Sequence, residues 1–185
     1  GGSSMDLNTR KILSLFASIL FTIPVYIILH EGGHLLAMAV CGANPERITF
    51  YGGGIALSKS GMESLTDAKR LVILSAGCSV NLLVAAACFA MQGNDTAAVF
   101  GAVNLIICIF NALPIGYFDG AEVLELLLTG FVSLRTAEKV KKIIGTTLAL
   151  IITAGVIVYC VMCGESVSLS LFFVVLFLIQ AQLVS

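Results

Sequence analysis

Two long runs of this sequence are almost empty of charge: from Ile12 to Pro45 the one charged side chain is Glu31, and from Leu71 to Phe118 it is Asp95. A helix crosses about 30 Å of hydrocarbon with roughly 20 apolar residues, and runs of this kind meet that need. Of the 185 residues, 58% are hydrophobic and 11% charged. Mean hydropathy is +1.04, which no soluble globule of ordinary composition approaches. Five spans are expected, near 12–41, 71–91, 96–116, 143–163 and 167–185. The fold class is therefore an all-α integral membrane protein, multi-pass, seated in a lipid bilayer.

The other charges set orientation, because Lys and Arg gather on the cytoplasmic side of short loops. Arg10 and Lys11 fall on one side, while Arg47, Lys59, Lys69, Arg70, Arg135, Lys139, Lys141 and Lys142 fall on the other. The N-terminus is thus expected outside, with loops 42–70 and 118–142 cytoplasmic. A net charge of -1 gives no basic footprint for nucleic acid, which is excluded as a partner. The six cysteines, at 41, 78, 88, 108, 160 and 163, fall almost wholly in apolar spans and read as small hydrophobes rather than a disulfide framework. Gly1 to Ser4 ahead of Met5 reads as an expression scar.

Between the first two spans, the β-prone stretch Arg47 to Ser58 alternates weakly and is interrupted by three glycines, so a short strand or hairpin is expected at the membrane surface. Ala121 to Leu128 carries Glu122 and Glu125 among aliphatics, as a short interfacial helix does.

Within the first span lies His30-Glu31-Gly32-Gly33-His34. Residues four apart share one helix face, so both imidazoles can meet one ion while Glu31 stands beside it. The chain has only two histidines, and the chance of placing them four apart with a Glu after the first is roughly four in ten thousand. Burying an ionisable group at the middle of a span costs roughly 2.5 to 3.5 kcal/mol, so such a group normally has a function. Zinc suits imidazole, and a catalytic zinc keeps three protein ligands with water in the fourth place. One zinc ion is the expected cofactor, with Glu31 the catalytic base.

Asp119 is the strongest candidate for the third ligand. It follows Asn111-Ala-Leu-Pro-Ile-Gly-Tyr-Phe, in which Pro114 ends the third helix and Gly116 and Gly120 let the backbone turn. Asp-Gly is by itself a common turn. Spans one and three cross in the same direction, however, and each carries its polar motif in its C-terminal half, which brings both motifs to the same membrane face.

Three blocks together resemble the site-2 protease family, and within it the small branch typified by the sporulation pro-sigma-factor processing protease. They are His30 to His34 with Phe50 to Ala56, then Ser75-Ala-Gly-Cys-Ser-Val-Asn81, then Asn104 to Gly120. The resemblance implies a three-helix catalytic core in which His30, His34 and Asp119 bind zinc, Glu31 acts as general base, and a bacterial membrane houses the chain. It also implies membrane-spanning or membrane-associated protein substrates, reached by pairing with the glycine-bearing strand. Asn81 and Asn111 are polar groups within spans and serve either to orient substrate or an oxyanion or to join helices by hydrogen bonds. Gly32 and Gly33 similarly admit either substrate backbone or close packing. The sequence departs from the family pattern at Cys78, where proline is common, at Phe118, and at Ala121-Glu122. Residues 5–128 would form the catalytic core, 129–142 a basic cytoplasmic segment and 143–185 two accessory helices. Oligomeric state is not read from the sequence. The rival readings are a zinc-binding membrane carrier or sensor, and a catalytically silent scaffold.

Overall fold

The computed structural model describes residues 25–43, 47–51, 54–58, 62, 64–116 and 118–163. The beginning of the first expected span, the leading Gly1 to Ser4 and the fifth expected span lie outside them. Within them are helices α1 (Val25–Cys41), α2 (Asp67–Ala90), α3 (Asp95–Asn111), α4 (Asp119–Thr129) and α5 (Leu134–Cys163), with strands β1 (Arg47–Tyr51) and β2 (Gly54–Ser58) between α1 and α2. The strands pair antiparallel, from Arg47 opposite Ser58 to Tyr51 opposite Gly54.

Helices α2, α3 and α5 are long and apolar enough to cross a membrane. At 1.5 Å per residue, the 24 residues of α2 reach about 36 Å. A tight turn joins α2 to α3. Gly93 takes a positive φ of 76°, and the Asn94 side chain accepts from the Ala97 amide at 3.0 Å, which satisfies one of the open donors at the start of α3. With 11 residues, α4 is too short to span. Helix α5 begins nine residues before the expected apolar stretch, because Leu134 to Lys142 is continuous with it. Thr136 donates its amide to the Ser133 hydroxyl at 3.4 Å at that end, and Lys141 pairs with Glu125 to tie α5 to α4.

Helix α2 is the centre of the bundle, packed against α3 and α4 and against α1 through Gly33. A Cβ on Gly33 would lie 2.8 Å from the Ala76 carbonyl oxygen, and one on Gly101 would lie 2.9 Å from Cys88 Cβ. Small residues thus let helix backbones approach where apolar burial alone gives no driving force in lipid. A cluster of Met38, Cys41, Ala43, Met62, Ile73 and Leu74 closes one end of the α1–α2 pair. Burial differs from that of a soluble protein at both its polar and its apolar residues. His30, His34, Asn81, Asn104 and Asp119 are buried, whereas Leu36, Val40, Leu83, Val99, Ile151 and Met162 are exposed. Apolar side chains on the outside and polar ones within suit a hydrocarbon solvent. The chain is a membrane protein.

Candidate metal centre

Helix α1 places His30 and His34 one turn apart on the face turned to α2, and they are only 6% and 5% exposed. Asp119 enters from the other side as the first residue of α4. Its approach depends on two glycines in different ways. Gly116 turns the chain with a φ of 56°. Gly120 does not turn it: it lies inside α4, and a Cβ there would collide with the Ala112 carbonyl and lie 2.7 Å from the Leu113 oxygen. A turning role was expected of both glycines, but the second is a close-contact residue that lets the start of α4 press against the end of α3. That helix ends at Asn111, ahead of Pro114.

Three ligand atoms converge. His30 Nε2 and His34 Nε2 each lie 3.0 Å from Asp119 Oδ2, and the two Nε2 atoms are 3.3 Å apart. His34 Nδ1 donates to the Ile73 carbonyl at 2.7 Å. A carbonyl only accepts, so Nδ1 carries the proton, and a neutral His34 turns a bare Nε2 lone pair toward a carboxylate oxygen. Two acceptors at that distance need a cation or a proton between them. For tetrahedral zinc with bonds of about 2.0–2.1 Å, ligand atoms are separated by about 3.3–3.4 Å. The observed triangle is within a few tenths of an ångström of that, and the donor set of two imidazoles and one carboxylate suits zinc. These are also the residues that form the metal-type cluster among the described residues. Glu31 lies outside the triangle, half-buried on the same turn of α1 as His30.

The structure adds two residues that the sequence reading did not single out for this site. Gly77 on α2 leaves the space the imidazoles occupy: a Cβ there would fall on His34 Nε2 and lie 2.6 Å from His30 Cε1. Cys78, at the position where the family often has proline, donates its thiol to the Cys108 carbonyl at 3.7 Å and lies 3.9 Å from Asp119 Oδ2. The signal available beforehand was the small-residue run Ser75-Ala-Gly-Cys in mid-span, but its partners are tertiary. Gly32 and Gly33 divide between their two readings. Gly33 packs on α2, while a Cβ on Gly32 would meet nothing within 4 Å. Asn111 donates to the Ile107 carbonyl of its own helix at 3.1 Å, whereas Asn81 is fully buried inside the bundle.

The structure can be placed among known proteins. Against the solved site-2 protease from Methanocaldococcus jannaschii the TM-score is 0.63, over 92% of this chain and 85% of that one, at 20% sequence identity. The chain has the site-2 protease fold. Residues 94–155 match peptidase family M50, a stretch that includes Asp119 and leaves His30 to His34 outside. No curated protein matches the chain. The shared fold and the M50 match support the site-2 protease family read from the sequence, and with it a metallopeptidase of the intramembrane type. Neither singles out the sporulation branch.

Proposed function

We propose that this protein is an intramembrane zinc metalloprotease that hydrolyses peptide bonds of membrane-spanning or membrane-associated proteins. The observation that carries this reading is the convergence of His30 Nε2, His34 Nε2 and Asp119 Oδ2 within the buried interior of an apolar bundle. These three atoms hold the ion. When bound, zinc supplies Lewis acidity, lowering the pKa of a water from roughly 15.7 to about 7 and polarising the scissile carbonyl. Glu31 is the general base: a carboxylate oxygen takes a proton from the attacking water and passes it to the departing amine nitrogen. The Ile73 carbonyl fixes the His34 ring so that Nε2 faces the ion. A helical substrate must unwind to reach the site, and the β1–β2 hairpin supports capture of the unwound strand by β-addition.

The test is metal removal. Purified full-length protein in detergent is expected to carry about one zinc per chain. Chelation is expected to abolish cleavage of a membrane-spanning substrate, and zinc alone to restore it. Asp119→Ala and His34→Ala are expected to lose the ion. Cleavage that survives complete removal of metal would overturn the reading. Zinc transport into proteoliposomes without proteolysis would favour the carrier, and neither activity the scaffold.

We also propose that both basic loops are cytoplasmic. In support, Arg70, Lys139, Lys141 and Lys142 gather around one cavity of about 730 Å³ at the α4–α5 end of the bundle. A reporter fused within 130–142 is expected to report the cytoplasm; an external signal would reverse the orientation.

A further inference from the structure

Among the described residues, four buried side-chain polar atoms have no hydrogen-bond partner: His30 Nδ1, Asn81 Nδ2, Asn81 Oδ1 and Asn104 Oδ1. They belong to one place. Helices α2 and α3 run antiparallel, with Cys78 against Cys108 and Ala85 against Gly101, which sets Asn81 level with Asn104. Both asparagines are 0% exposed. On α2, Asn81 is one turn, about 5.4 Å, beyond Gly77 and on the same face. Gly77 is the residue whose Cβ would lie 2.8 Å from His30 Nδ1.

The donor and acceptor types match in sequence. For His30 Nε2 to face Asp119 as a ligand, Nδ1 must carry the proton and is a donor. Asn81 Oδ1 is an acceptor, Asn81 Nδ2 a donor and Asn104 Oδ1 an acceptor. Asn104 Nδ2 already donates to the Phe100 carbonyl at 2.9 Å. One relay would therefore satisfy all four atoms. His34 has the Ile73 carbonyl to set its tautomer, and among the described residues His30 has no such partner without this relay.

We propose that Asn81 is the positioning residue for His30: through ordered water it accepts from His30 Nδ1–H and donates toward Asn104, which anchors the relay on α3. Buried waters occur where a few unsatisfied polar groups meet, typically making about three hydrogen bonds. This rests on the metal-site reading, and it gives Asn81 a role on the ion rather than on the substrate.

Zinc affinity of the full-length protein, measured by chelator competition, tests it. Outer-sphere partners of ligating histidines typically contribute about 10- to 100-fold in affinity. Asn81→Ala is expected to weaken zinc binding by about that factor, and Asn81→Asp, which keeps the acceptor, to recover most of it. A purely structural amide would change the unfolding temperature in both variants and the affinity in neither. Wild-type affinity in Asn81→Ala, or no recovery in Asn81→Asp, would overturn the proposal. If the wild type binds no zinc, the metal-site reading itself fails. Should Asn81→Ala not fold, nitrogen-15 spectra of the wild type decide, since only two histidines contribute. The proton of His30 is expected on Nδ1, slow to exchange; a proton on Nε2 would reject the relay.

Discussion

Glu31→Gln is expected to bind zinc as tightly as the wild type and to cleave about 10²- to 10⁴-fold more slowly, the usual contribution of a positioned general base. The two results separate because Glu31 lies outside the triangle of ligand atoms, so neutralising its carboxylate leaves the ion's donors intact. Glutamine keeps the size and helix preference of the side chain but cannot take the proton from water. Measuring zinc content and single-turnover cleavage on one preparation checks both halves. Undiminished cleavage would remove Glu31 from the chemistry, and loss of zinc would make it a ligand.

The second large effect is expected at a residue that carries no side chain. Gly77→Ala inserts one methyl where the two imidazoles meet α2, and it must displace His34 Nε2 or His30. Overpacking alone costs about 1 to 3 kcal/mol. The ligands bear the displacement, so zinc affinity is expected to fall by more than about 100-fold, beyond the usual cost of losing an outer-sphere partner. Gly155→Ala on α5 is the control. Its Cβ would meet nothing within 4 Å, and by helix preference it is expected to be neutral or to stabilise by up to about 1 kcal/mol. Equal zinc affinity in Gly77→Ala and wild type would show that the rings do not need this space.

What could be read in advance followed from local pattern. His30, Glu31 and His34 stand out because their run holds no other charge, and Asp119 because intramembrane acids are so few. Three of the expected spans correspond to α2, α3 and the apolar part of α5; polar residues extend the starts of α2 and α5 beyond the apolar stretch, while α3 ends at Asn111, short of the expected 116. Gly77, Cys78 and the Ile73 carbonyl could not be read this way. Each matters through a contact with α1 or α4, and nothing in the α2 sequence says which face those helices will meet. Gly120 shows the same limit: Asp-Gly suggests a turn, whereas the requirement is proximity to the Ala112 carbonyl. Asn111, equally polar on paper, bonds within its own helix, and Asn81 does not.

His34 and Asp119 meet although 85 residues separate them along the chain. In polymer terms their encounter closes a long loop, and closure of this kind is entropically costly but grows only slowly with length, about 0.6 kcal/mol per doubling. An ion gripping both ends acts as a removable clip on that loop. Resistance to unfolding is then expected to follow free zinc by mass action, gaining about 2.7 kcal/mol when zinc reaches about a hundred times its dissociation constant. A cell that withdraws zinc would loosen this protein as well as silence it.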